Sequence, residues 1–164
     1  MFNPFTLVGF HTLISFAAIL AGLVVILRVM SGSLPALWTE VFLVTAVITS
    51  VTGFLFPFGQ LLPSHIVGGI ALVVLAATLL AQYVFHFVGP WRAIYAIGLV
   101  ASLYLLLFVL IAQAFMKIEV LHRLAPTQSE APFAIAQVLL LAVMLWVGMR
   151  ALRAFHPGGW VARP

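Results

Sequence analysis

The chain has 164 residues, of which 65% are hydrophobic and only 6% are Asp, Glu, Lys or Arg, against about 45–50% apolar and about 25% charged in soluble domains, so a soluble fold would leave too much apolar surface in water. The net charge of +4 comes from basic residues scattered at the ends of apolar runs rather than from a basic stripe interleaved with aromatics, which argues against a nucleic-acid partner. There is no cysteine, which excludes disulfides, thiolate metal sites, iron–sulfur clusters and cysteine nucleophiles.

Five apolar stretches follow in chain order, at about 5–30, 38–56, 65–87, 91–115 and 133–155. Each is long enough to cross ~30 Å of hydrocarbon at ~1.5 Å per residue. They predict an all-α polytopic bundle forming a single transmembrane helical domain over 1–164. The first stretch has no basic flank, is longer than a signal-peptide core and lacks a small-x-small cleavage site; it reads as a retained helix. The separators are turn chemistry: Ser31 to Pro35, Pro57 to Pro63, and Gly89-Pro90, where Pro and Gly are tolerated at or beyond the headgroups.

The connection from Lys117 to Pro132 has structure of its own. Ile118, Leu121 and Leu124 recur every three residues, which predicts a short helix lying in the membrane interface. Ser129 is expected to cap the fifth span, with Pro132 in its first turn and Glu130 beside the positive end of the helix dipole. After Phe155, His156-Pro157-Gly158-Gly159 ends the helix.

Lys and Arg counts predict orientation. The side with the N-terminus, the 57–64 turn and the 117–132 connection holds Lys117 and Arg123, whereas the other holds Arg28, Arg92, Arg150, Arg153 and Arg163. Positive charge concentrates on the cytoplasmic side, so the chain is expected to run N-out and C-in. Trp38, Trp91 and Trp160 fall on the arginine-rich side, as interfacial anchors do.

Polar side chains within lipid carry the functional information. His11, Thr12, Thr49, Thr52, Gln60, Ser64, His65, Gln113 and Gln137 fall toward the outer ends of the spans. Similar depth on every span suggests one shared pocket, lined by Thr49, Thr52, Gln60, Gln113 and Gln137; the alternative is a set of separate interhelical bonds worth about 0.6 kcal/mol each. His11 and His65, on different spans, are candidate cofactor ligands for a b-type haem, imidazole being a common axial ligand, with Gly9 and Gly68-Gly69 leaving room for a flat macrocycle. The alternative reading has His11 bonding across helices and His65 touching headgroups. His65 and His86 lie roughly 30 Å apart along one helix, too far for a stacked two-haem site. Small residues at Ala18 and Gly22, and at Gly98 and Ser102, have the spacing of close helix contacts, within the chain or between chains. Glu40, level with Arg28 and Arg92, is expected to form a structural ion pair with them. Asp is absent, and no catalytic triad, paired carboxylates, HExxH or phosphate-binding glycine loop occurs, so no catalytic residue and no metal-ligand motif are assigned.

The segments Thr49-Ser50-Val51-Thr52-Gly53-Phe54, Gln113-Ala114-Phe115 and Leu124-Ala125-Pro126-Thr127-Gln128-Ser129-Glu130 together resemble small multi-pass bacterial inner-membrane proteins without an assigned activity. The resemblance implies a bacterial inner membrane and supplies no chemistry. The leading expectation is a non-catalytic accessory or interaction subunit of a bacterial membrane complex, with the lipid bilayer, other membrane subunits or a second copy as partners. A redox-linked subunit binding b-type haem or quinone at the outer polar cluster is the first alternative, and a small transporter or channel the second.

Overall fold

The computed structural model describes residues 5–56 and 63–156, excepting the side chains of 63 and 64. Helices α1 (Leu7–Met30), α2 (Ala36–Gly53), α3 (Pro63–Tyr83), α4 (Trp91–Lys117), α5 (Glu119–Leu124) and α6 (Ala131–Ala154) account for the regular structure, with no strand among the described residues. All but α5 contain a stretch long and apolar enough to cross a membrane. This is the architecture of a multi-pass membrane protein, since backbone polar groups in lipid must be satisfied within each helix.

α4 is the central helix: it packs against α1, α3 and α6, while α2 lies between α1 and α3. The buried core gathers where α1, α2 and α4 meet, around Val25, Val29, Phe42, Leu43, Leu99 and Leu103. Two glycines set the helix separations. A Cβ on Gly22 would lie 2.8 Å from Phe42 Cε2, and one on Gly98 would lie 2.1 Å from Thr78 Oγ1. Both small-residue pairs therefore serve contacts inside the chain. The outer faces of α3 and α6, with Ile66, Val73, Val138, Leu139 and Trp146 exposed, carry apolar side chains suited to lipid.

Helix ends follow local chemistry. Thr6 caps α1 by accepting the Gly9 N–H at 3.1 Å. α3 stops at Tyr83, earlier than the apolar run suggests, because the chain turns through left-handed backbone at His86 (φ 44°) and Phe87 (φ 62°) before Gly89 (φ 58°). Bulky residues seldom adopt that conformation. Here aromatic packing holds it: Phe87 meets Tyr95 and Phe155 at ring-centroid distances of 4.7 and 5.6 Å, and Phe85 stacks on Trp91 at 3.8 Å.

The short helix foreseen in the connection is α5, with an exposed Glu119–Arg123 pair along it. The cap of α6 differs from expectation: Glu130, not Ser129, is the N-cap residue, and Pro132 lies in the first turn. The Ser129 hydroxyl is engaged with Thr127 Oγ1 at 2.5 Å and so is turned away from the helix. The Glu130 carboxylate folds back, accepting from the Thr127 N–H at 3.2 Å, the Thr127 hydroxyl at 2.8 Å and the Ser129 N–H at 3.1 Å. Desolvation pushes its pKa up, but hydrogen bonds from the Thr127 hydroxyl and from the backbone of Glu130, Thr127 and Ser129 outweigh that and hold it below the usual carboxylate value. Gln128 then ties the connection to α4 by donating from Nε2 to the Ala112 carbonyl at 2.8 Å.

Candidate functional site: a polar-lined cavity among four helices

The dense core stops short of the end of the bundle where α1 begins and α4 finishes. There α1, α2, α3 and α4 diverge around a cavity of about 590 Å³, within the ~300–1,000 Å³ typical of small-molecule sites. Along α4 it extends from Ser102 to Lys117, on the order of 20 Å at the helical rise. Its walls are mainly aliphatic, from residues such as Ile19, Leu75, Leu106 and Val109, with Phe16 and Phe56 as aromatic members. Polar groups enter from α1, α2 and α4.

The hydroxyls divide into two kinds. Thr12 donates to the Val8 carbonyl at 2.7 Å, Ser15 to His11 at 2.6 Å and Ser50 to Ala46 at 2.9 Å. Thr39, Thr45, Thr52 and Thr78 do likewise within their own helices. This back-bonding is how a hydroxyl in an apolar helix normally satisfies its proton. Thr49 and Ser102 are 7% and 2% exposed, yet their oxygens have no hydrogen-bond partner. Both line the cavity, from α2 and α4. A buried polar group left unsatisfied costs about 1–3 kcal/mol, and both oxygens belong to residues of the cavity wall while being themselves closed off from it. Gln113 and Lys117 also line the cavity, and neither side chain makes a hydrogen bond among the described residues.

His11 is held by a two-bond relay. Its Nδ1 lies 2.9 Å from Thr52 Oγ1, and Thr52 Oγ1 lies 2.7 Å from the Ile48 carbonyl oxygen. The carbonyl can only accept, and the hydroxyl has one proton to give. The short Thr52–Ile48 contact assigns that proton to Ile48, which makes Nδ1–H the donor to Thr52. In the neutral ring Nε2 is then the atom with a free lone pair. Phe56 braces the ring edge-on at 5.1 Å, and the imidazole lines the cavity.

The sequence-derived candidates are thus partly brought together. His11, Thr49 and Gln113 share the cavity, and Thr52 stands behind His11 as its support. Gln137 lies elsewhere: its Nε2 donates to the Phe108 carbonyl at 3.2 Å between α6 and α4, while its Oε1 is buried without a partner. His65 is buried against Phe54, with ring centroids 5.8 Å apart, and does not line the cavity, so the two histidines do not face each other across it. No group of three His, Asp or Glu suited to a metal ion forms among the described residues. Gln60 and the Ser64 side chain lie outside the described residues. Sequence reasoning missed Ser102 and Lys117 as cavity residues; the first reads as a small packing residue and the second as an orientation charge.

A second polar group occupies the opposite end of the bundle and replaces the ion pair expected of Glu40, Arg28 and Arg92. Glu40 Oε1 accepts from Gln82 Nε2 at 2.8 Å, Glu40 Oε2 accepts from the Tyr83 hydroxyl at 2.5 Å, and the buried Tyr95 hydroxyl donates to Gln82 Oε1 at 2.9 Å. Arg92 instead donates from Nη1 to the Phe155 carbonyl at the end of α6, where a cation suits the helix dipole. The Arg28 carbonyl accepts from the Ser31 and Ser33 hydroxyls. Among the described residues, Glu119 and Arg123 form the one ion pair. The arginines match Glu40 in depth, but α3, packed against α2, presents the groups that reach it.

Compared with protein-family models, curated proteins and solved structures, the chain matches none. Its chemistry is therefore read from the site alone.

Proposed function

We propose that this chain is a non-catalytic, ligand-binding membrane subunit whose cavity takes the polar head of a lipid-soluble molecule and leaves an apolar tail to the bilayer. The two unpartnered buried hydroxyls of Thr49 and Ser102 carry the reading. A simple packing defect would be lined by aliphatic carbons and back-bonded hydroxyls, whereas these two, on residues of the cavity wall, keep unused hydrogen-bonding capacity that side-chain rotation would offer to a ligand. A ligand offering polar atoms would recover the free energy they forgo.

The same site favours the ligand-binding form of the redox-linked expectation, with a quinone-type head, over a pure scaffold role. It also disfavours ion-coupled transport, because no Asp or Glu lines the cavity and intramembrane carboxylates usually serve that chemistry. With the excess of arginine at the opposite end placed in the cytoplasm, the cavity lies in the outer half of a bacterial inner membrane.

The test is extraction. Protein purified in lipid nanodiscs should yield, by mass spectrometry of the organic extract, a lipid-soluble compound at near one per chain above bulk lipid. Ala71 lines the cavity, and Ala71→Phe should abolish that enrichment while leaving the chromatographic profile and helical content unchanged. Equal extracts from the two proteins would refute the reading.

A further inference from the structure

Resting on that reading, we infer that the cavity selects a ligand presenting a ring hydroxyl, a lipid-soluble hydroquinone or related phenol, by accepting its O–H at His11 Nε2. The direction of the relay supplies the reason. Ile48 takes the Thr52 proton and Thr52 takes the His11 Nδ1 proton, which leaves the neutral imidazole a hydrogen-bond acceptor on its remaining nitrogen. No described residue hydrogen-bonds to Nε2, since the one contact of the His11 ring nitrogens is that to Thr52. A carbonyl oxygen brought to that nitrogen would set two lone pairs against each other, whereas a hydroxyl would close the relay.

One other polar group completes the match. The Gln113 amide, four residues before the end of α4 as His11 is four after the start of α1, lines the cavity and offers both a donor and an acceptor. It can serve a second oxygen on the same ring in either role, so it recognises a two-oxygen head without choosing its oxidation state. His11 makes that choice. Phe16 and Phe56 in the wall suit a flat ring more than a branched alcohol. Thr52 does not line the cavity; it is a positioning residue, and its part is to keep the imidazole proton on Nδ1.

Two measurements on the full chain in nanodiscs test this. Binding of a short-chain ubiquinol, kept reduced without oxygen, and of the matching ubiquinone is followed by isothermal titration calorimetry. The wild type should bind the reduced form about three- to tenfold more tightly, the range of one net hydrogen bond. His11→Phe should bind both forms alike, and Thr52→Val should shrink the preference while keeping the ubiquinone affinity. In the unmodified protein labelled with ¹⁵N-histidine, the His11 spectrum should show a protonated Nδ1 and a bare Nε2, and ubiquinol should shift the Nε2 resonance. This second measurement holds even if a variant fails to fold. Binding of both forms with equal affinity, or a proton on Nε2, would overturn the inference and leave the ligand-binding reading intact. Binding of neither form, with an enriched compound of another class in the extract, would do the same. Absence of both binding and enrichment would overturn the two together.

Discussion

Replacing Gly98 by Ala puts a methyl group where α3 and α4 touch. The new Cβ would lie 2.1 Å from Thr78 Oγ1, 3.2 Å from its Cβ and 3.5 Å from its Cγ2, against ordinary separations of about 3.5–4.0 Å between carbons. Thr78 is fully buried, and its hydroxyl donates to the Val74 carbonyl at 2.7 Å. Relief by rotation breaks that bond, a loss of about 1 kcal/mol net, and relief by separating the helices gives up packing in the range of about 1–3 kcal/mol for an overfilled contact. In water, removing a helical glycine would return about 1 kcal/mol. In a bilayer the helices persist when they come apart, so little of that gain offsets the clash. The expected loss is therefore about 2–3 kcal/mol, measured by reversible unfolding in bicelles. Thr78→Ala removes the two closest-facing atoms beyond Cβ, so the double variant should recover at least about 1 kcal/mol relative to the sum of the single changes. A neutral Gly98→Ala, or strictly additive changes, would refute the close α3–α4 contact.

Two further outcomes follow from the ends of the bundle. A reporter active only in the cytoplasm, fused after Pro164, should be active, because Arg150 and Arg153 lie at the same end as Arg28 and Arg92; activity from a periplasmic reporter alone would reverse the orientation and place the cavity in the inner half. Glu130 has a folded pKa below its usual value, so its hold on the Thr127 and Ser129 amides is complete above the ordinary carboxylate range and lost as pH falls through the depressed value. Amide exchange at those two residues should rise only below that range, and Glu130→Gln should raise it at neutral pH; protection already lost near pH 5 would contradict the folded-back carboxylate.

Much of the architecture was readable without coordinates. The five spans, the short α5 and the Pro132-led start of α6 all rest on local causes: long apolar runs, Pro and Gly punctuation, and the demand that backbone groups in lipid bond within their own helix. Depth is also local, because each residue advances the helix by about 1.5 Å, and so His11, Thr49 and Gln113 could be placed at one end together. Rotation about the helix axis is another matter. Each residue turns the face by about 100°, and in spans that are apolar all round the pattern marks no preferred interior face. Packing alone turned His11, Thr49 and Gln113 toward one cavity, left His65 against Phe54 and Gln137 against α4, and gave Glu40 to Gln82 and Tyr83 rather than to arginines of equal depth. It also decided that the Ser102 hydroxyl, readable only as a small side chain, is buried without the backbone bond that its counterparts make to their own helices. Depth follows from position along one chain, whereas facing depends on where Gly22 and Gly98 let the neighbouring helices approach.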